Sequence, residues 1–316
     1  MKYIEALRDG MHVSEVYLCK SKIIALTKNG KEYGNIVLQD KTGQLEGKIW
    51  DLRNPGIRDF EAMDYIHVEG TVTVFNNANQ LNIQRVMRAD EGEYYPADYF
   101  PVSEKDTGEM MKELTGFVNS MKNPYLKQLC EAFFVNDAAF VKKFCLHSAA
   151  KSVHHGFIGG LLEHTLSVVK LCSNAAAQYP FANRDLLLAG AMLHDIGKIY
   201  ELSPFPYNDY TDAGQLLGHI IIGTELCEDK IRRIEGFPLK LHNELIHMIL
   251  SHHGELEFGS PKKPALIEAM ILSMMDNLDA KVETMHEAIE SKTPQNEEGW
   301  LGYQKLLDTN LRRTSS

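Results

Sequence analysis

The sequence predicts a multidomain α and β chain, with a small N-terminal barrel or sandwich of short strands followed by an all-α helical bundle. Three observations lead there. Apolar and polar residues alternate through the first ninety or so positions, around tight-turn signals. Residues 88–111, RADEGEYYPADYFPVSEKDTGEMM, gather Pro, Gly, Asp and Glu as a boundary does. Beyond them, apolar residues recur at three- and four-residue spacing.

The elements follow in order. In GNIVLQDKTGQLEGKIWD (34–51) two alternating runs flank DKTG, and in YIHVEGTVTVFNNANQLNIQRVMR (65–88) two more flank NNAN, so each reads as a hairpin. Ser103, with Asp106 three residues later, has the spacing of a capping box and predicts a helix through about Met121. LLEHTLSVVKLCSNAAAQY, RDLLLAGAMLHDIGKIYEL, LKLHNELIHMILSHHG and PALIEAMILSMMDNLDAKVETMHEAIES each predict a helix, and the last fifteen or so residues read as a loose polar tail. The expected organisation is a β domain at 1–90, a linker and helical connector at 91–146, a helical domain at 147–290 and the tail at 291–316.

Bulk properties exclude several classes. The chain has 316 residues, enough for two domains, and no apolar run approaches a membrane span, so no membrane partner is expected. MKYIEALRDGMHV lacks the apolar core of a signal peptide, and five cysteines stand singly without a CxxC pair. Both point to reduced thiols and a cytoplasmic location. A net charge of −10 argues against coating nucleic acid by bulk attraction, though bound cations would offset carboxylates locally.

The histidines are unevenly placed. All but His12 and His67 lie between residues 147 and 286. In helical contexts stand His164, His194, His219, His242, His247, His252 and His253, while Asp195 and Asp276 sit in apolar surroundings, AMLHDIG and ILSMMDNLDA. A buried imidazole beside a buried carboxylate is costly unless something satisfies both. His194–Asp195 alone would also suit a hydrogen-bonded core pair, and His252–His253 before Gly254 would also suit a helix C-terminus. His242, His247 and His286 read as surface or supporting residues.

The ordered set His164, His194–Asp195, His219, His252–His253, Asp276 resembles the HD superfamily of metal-dependent phosphohydrolases, in the variants that hold two metals. The resemblance implies a first metal on His164, His194, Asp195 and Asp276, and a second on Asp195, His219, His252 and His253. Asp279, three residues after Asp276, competes for the last place. Two divalent cations would activate a shared water for in-line displacement at phosphorus. The mixed nitrogen and oxygen donors favour Mn²⁺, with Co²⁺ as a substitute, over Mg²⁺. Asp195 is the expected catalytic bridge, and Lys198, one turn on, the expected phosphate contact. Ahead of the first ligand, HHxxxGGLLEHTL (154–166) resembles the YhaM-type 3′-to-5′ exoribonucleases. His154 and His155 precede a glycine-containing loop and are expected to touch substrate at the mouth of the site.

The HD resemblance alone leaves the substrate open among nucleotide hydrolases, cyclic-nucleotide phosphodiesterases and nucleases. The front domain narrows it. YGNIVLQDKTGQLEGKIWD resembles strands two and three of an OB-fold that binds nucleic acid, with Tyr33, Trp50 and Phe75 on or near an outer face. Between residues 20 and 58, eight lysines and arginines, Lys31 and Lys48 among them, stand against four carboxylates. Aromatic platforms in a basic groove suit a single strand, although Trp50 would equally serve as barrel core. The resemblance covers nearly the whole chain and implies a metal-dependent 3′-to-5′ exoribonuclease. It would take single-stranded RNA, with single-stranded DNA as a second candidate, and release nucleoside 5′-monophosphates. A small-nucleotide or cyclic-dinucleotide phosphodiesterase with a regulatory barrel is the alternative enzyme, and a non-catalytic nucleic-acid-binding protein the alternative from another class.

Overall fold

The computed structural model describes residues 1–27, 29–76, 78–151, 155–292, 294, 296 and 298–315. The chain divides into two units, Met1–Pro101 and Val102–Ser316.

In the first unit, five strands close into a barrel: β1 (His12–Leu26), β2 (Glu32–Asp40), β3 (Gly43–Ile49), β4 (Tyr65–Phe75) and β5 (Ala78–Arg88). The length of β1 makes closure possible. Its first half pairs antiparallel with β4 and its second half with β2, and a register shift between Cys19 and Ser21 bends it from one partner to the other. β3 then meets β5 in parallel and β5 returns antiparallel to β4. This is the OB arrangement that the β2–β3 stretch resembles. Alternation appears directly as burial: Ile36, Leu38, Leu45 and Ile49 point inward with Val68, Val72, Leu81 and Val86. The DKTG and NNAN signals fall between β2 and β3 and between β4 and β5; Asn77 lies outside the described residues.

The second unit is helical: α1 (Thr107–Asn119), α2 (Pro124–Phe134), α3 (Ala138–Leu146), α4 (Gly160–Gln178), α5 (Arg184–Leu193), α6 (Lys198–Glu201), α7 (Asp212–Leu216), α8 (Gly218–Ile231), α9 (Leu239–Ser251) and α10 (Ile267–Glu290). One apolar cluster runs from Met110, Leu114 and Phe144 through Leu161, Leu187 and Met192 to Leu245 and Leu272. The 91–146 stretch, expected as linker and connector, therefore contributes α1–α3 to the same core as the helices after it.

Three local expectations are corrected. The cap of α1 is Asp106, whose carboxylate accepts from the Glu109 nitrogen at 2.8 Å, while Ser103 bonds Glu163 at 2.6 Å. The 184–202 stretch is two helices rather than one, broken at residues 194–197 for a reason given below. The tail is not loose: β6 (Trp300–Gln304) and β7 (Thr309–Arg312) form a hairpin that buries Leu301 and Leu311 against Ala288 of α10. Two apolar side chains on one face are enough to seat it.

Candidate metal centre

Of the residues singled out in the helical part, His164, Asp195, Lys198, His252, His253 and Asp276 line one cavity of about 240 Å³, with Ala149 in the same wall. His164 comes from α4, His194 and Asp195 from the end of α5, Lys198 from α6 and His219 from the start of α8. His252 and His253 follow α9, which ends as Gly254 takes φ +81°, and Asp276 and Asp279 lie one turn apart on α10.

Gly197 explains the break between α5 and α6. A Cβ there would lie 2.0 Å from the His219 carbonyl oxygen and 2.6 Å from the Gly223 nitrogen, so α8 packs directly on its backbone. Gly197→Ala is expected to push α8 back, taking His219 with it, at a cost of about 1–3 kcal/mol. Thermal unfolding of the variant measures that cost, and an unchanged Tm would contradict it.

Each imidazole is pinned at Nδ1. That atom lies 2.9 Å from the Ala191 carbonyl in His194, 2.7 Å from the Ile249 carbonyl in His252 and 2.8 Å from the Phe258 carbonyl in His253. A carbonyl only accepts, so Nδ1 carries the proton and Nε2 is left as a lone-pair donor. In His219 and His164 the acceptors are carboxylates, Glu201 at 2.9 Å and Asp279 at 2.7 Å. Burial favours the neutral form of both acids, but the hydrogen bond from His219 to Glu201, and those from His155 and His164 to Asp279, hold both carboxyls below the usual range.

The Nε2 atoms then gather in two groups around Asp195. His164 and His194 face each other at 3.3 Å, with Asp276 Oδ1 at 3.1 and 3.7 Å and Asp195 Oδ2 at 3.4 and 3.3 Å from them respectively. On the other side, His219 Nε2 lies 3.3 Å from His253 Nε2, with Asp195 Oδ1 3.5 Å from His219 and 3.7 Å from His252. Lys198 Nζ sits 2.7 Å from Asp195 Oδ2. Burial opposes charge on Asp195, yet Lys198 and His194 beside it hold the carboxyl well below its ordinary value. Burial likewise works against Lys198, and Asp195 raises it. Burial, with His194 and His253 nearby, pushes the His252 imidazole well down and keeps it neutral. Burial opposes charge on His164 too, but its bonds to Asp195, Asp276 and Asp279 raise it well above the histidine range.

Asp195 Oδ1 and His252 Nε2 are buried without a hydrogen-bond partner. Buried polar atoms seldom remain so unless a ligand completes them. Donor groups of His164, His194 and Asp276, and of His219, His252 and His253, each fall within 4.8 Å of one another. A third cluster, His155, His164 and Asp279, is already joined by hydrogen bonds. A larger cavity of about 600 Å³ lies beside α1 and α4, but there Lys105 and Lys170 are spent on Glu163 and Glu113, each at 2.7 Å.

The other expected residues are placed as follows. His155, expected at the mouth, is 3% exposed and lies 3.2 Å from Asp279. Its φ of +58° turns it inward, so its described contact is with that carboxylate rather than with solvent. His154 lies outside the described residues. On the barrel, Trp50 is 49% exposed, so its ring is on the surface and not in the core. It stacks on Tyr33 at 5.2 Å and donates from Nε1 to Asn82 at 2.8 Å. Lys48 Nζ is 5.8 Å from the Tyr33 ring and bonds Asn35 at 2.6 Å, and Lys31 pairs with Asp51 at 3.8 Å. Phe75, at the end of β4, is 62% exposed. Sequence reasoning missed Glu201 as the partner of His219 and weighed Asp279 only as a rival to Asp276. Asn35 and Asn82 also went unnoticed. The only signal for Glu201 is its place one turn after Lys198 on the same short helix.

Comparison with known proteins agrees with this geometry. The family model described as HD domain matches residues 161–281, the span from α4 to α10 that carries His164 through Asp279. The chain is 37% identical over 289 residues to the 3′-5′ exoribonuclease YhaM of Bacillus velezensis, covering 90% of each. It is 36% identical to that of Bacillus subtilis over the same shares and 34% identical to that of Listeria monocytogenes, again covering 90% of each. An OB-type barrel followed by a helical unit with the HD residues in order, similar over nine tenths of its length to these relatives, belongs to the YhaM family of 3′-5′ exoribonucleases.

Proposed function

We propose that this protein is a metal-dependent 3′-to-5′ exoribonuclease that holds two divalent ions and releases nucleoside 5′-monophosphates from single-stranded RNA. The observation that carries the proposal is the inward set of Nε2 atoms, each ring fixed by a bond at Nδ1, around a carboxylate that has an unpartnered buried oxygen. His164, His194 and Asp276 would hold the first ion, His219, His252 and His253 the second, and Asp195 would offer one oxygen to each. Asp276 rather than Asp279 takes the ligand role, because Asp279 is engaged at Nδ1 of His164. Nitrogen-rich donors suit Mn²⁺ or Co²⁺ better than Mg²⁺. When bound, the ions supply Lewis acidity and an activated water for attack at phosphorus. Lys198, bordering the cavity while paired to Asp195, keeps Asp195 ionised and adds positive charge where a phosphate would enter.

The barrel supports the choice of a single strand. Half-buried Tyr33 and exposed Trp50 form a stacked pair, with Lys48 beside the Tyr33 ring, as base-stacking platforms do. With added Mn²⁺, 5′-labelled RNA should shorten from its 3′ end and give nucleoside 5′-monophosphates, and a chelator should stop it. Turnover of a cyclic dinucleotide with none of RNA would favour the small-nucleotide reading. Replacing Tyr33 and Trp50 together by alanine is expected to lower the ratio of kcat/KM on a twenty-nucleotide RNA to that on a dinucleotide at least tenfold, about 1.4 kcal/mol. Equal changes on both substrates would show that the barrel does not hold the strand.

A further inference from the structure

The helical unit carries a group of exposed tyrosines close in sequence, outside the barrel and outside the metal cavity. Tyr200, Tyr207 and Tyr210 are 41%, 60% and 46% exposed. Lys143 Nζ stands 4.9 Å from the Tyr200 ring centre and Lys151 Nζ 5.8 Å from that of Tyr210. Exposed rings are ordinary on floppy loops, but the segment from 200 to 211 is pinned. Leu202 and Tyr210 pair as an antiparallel bridge, and Thr211 donates from its backbone to Glu201 at 2.9 Å and from its hydroxyl to Tyr200 at 2.7 Å. Next to Tyr207, Asn208 is buried in left-handed backbone, φ +44°. Its side chain meets the Ser148 hydroxyl at 2.5 Å and donates to the carbonyls of Ala150 and Lys151 at 3.2 and 3.1 Å. His147 adds a contact to the Leu202 carbonyl at 3.2 Å.

Those anchors connect the tyrosines to the metal cavity. Ala149, in the middle of the 147–151 segment that holds the loop, lines that cavity. At its other root the loop leaves α6, whose Lys198 touches Asp195 and whose Glu201 touches His219. Rings held rigidly apart from any core lose little conformational entropy on binding, and each can stack a base of any identity. Lys143 beside them matches the phosphates that link those bases, while Lys151 is already paired with Asp209.

We propose that Tyr200, Tyr207 and Tyr210, with Lys143, form a stacking platform for the nucleotides just upstream of the 3′ end being cleaved. This inference rests on the exoribonuclease reading of the cavity and deepens it. The platform belongs to the helical unit, so it acts on strands too short to need the barrel.

The test uses the full chain with Mn²⁺ and a five-nucleotide RNA, with methyl p-nitrophenyl phosphate as a substrate that has no upstream nucleotides. Tyr207→Ala/Tyr210→Ala is expected to raise KM for the RNA at least tenfold with kcat within twofold. The RNA-to-diester ratio of kcat/KM should fall in proportion. Tyr207→Phe/Tyr210→Phe, which keeps the rings, should restore the RNA KM. Tyr207→Ala alone, at the most exposed of the three positions, should show a smaller rise in the same direction and guards against misfolding of the double variant. An RNA KM within twofold of wild type in the folded alanine variants overturns the platform, as does a loss shared equally by both substrates. A wild-type protein that cleaves the diester but not RNA instead overturns the exoribonuclease reading, and the platform falls with it.

Discussion

Asp195→Asn is expected to lose RNA hydrolysis by on the order of a thousandfold or more, because one carboxylate faces both donor groups. Its Oδ2 stands 3.4 and 3.3 Å from Nε2 of His164 and His194, and its Oδ1 3.5 and 3.7 Å from Nε2 of His219 and His252. An amide keeps the shape but removes the charge and turns one oxygen into a donor that faces lone pairs. Asparagine leaves Lys198 a hydrogen-bond acceptor that alanine would remove, but not a counter-charge. Lys198 is 2.7 Å from the same carboxylate and mostly buried, and leaving a buried charge without its partner costs about 3–5 kcal/mol. The two effects have separate readouts. Initial rates with saturating Mn²⁺ report the chemistry, while circular dichroism and Tm report whether the unit still folds. Asp195→Asn/Lys198→Met removes the orphaned charge as well and is expected to recover stability without recovering activity. A single variant that is folded, binds two ions and turns over RNA near the wild-type rate would end the bridging assignment.

What was legible in the sequence follows from which interactions leave a mark on residue identity. The barrel strands were legible because alternation is burial seen along the chain: Ile36, Leu38, Leu45 and Ile49 point inward in the phase their spacing requires. The residues of the candidate metal centre stood out as a set because imidazole and carboxylate are rare in apolar helices. Their anchors did not. Three of the five Nδ1 partners are carbonyls of Ala191, Ile249 and Phe258, and a backbone carbonyl carries no side-chain identity to read. The other two, Glu201 and Asp279, are ordinary acids until α8 and α4 come beside them. The break after His194 was hidden for the same reason. Gly197 is a tertiary requirement, set by a helix that arrives about twenty residues later. Trp50 could not be placed from alternation because it follows the end of β3, where the inside-outside phase no longer applies. The hairpin at 300–312 was missed because it is seated mainly by Leu301 and Leu311, with Leu307 beside them, too few for a periodic signal.

The second ion is where the two-metal assignment meets its strictest test. His252→Ala and His219→Ala are each expected to reduce bound Mn²⁺ from two equivalents to about one after gel filtration, and to lower activity by at least tenfold to a hundredfold at modest metal. Part of that loss should return as Mn²⁺ is raised, since the remaining donors of the second group survive in each variant. The two should differ in stability. Removing His252 removes a buried neutral ring whose Nε2 has no partner, leaving a void and one free carbonyl at Ile249. Removing His219 takes from the half-buried Glu201 the imidazole that does most to hold its carboxyl below the usual range, leaving it the backbone N–H of residue 219 at 3.0 Å. His219→Ala should therefore be the less stable of the two near neutral pH. As pH falls through the ordinary glutamate range the gap should narrow, because the Glu201 carboxylate can then take up a proton. His242→Ala, at a half-buried histidine outside the cluster and 2.6 Å from Glu228, should keep both ions and serves as the control. Metal analysis that finds one equivalent in the wild type and the same in both variants would remove the second ion from the mechanism. His219, His252 and His253 would then be left to bind phosphate directly. The depressed charge state of His252 argues against that, since a neutral ring offers a phosphate one donor at most, and its Nδ1–H is already given to Ile249.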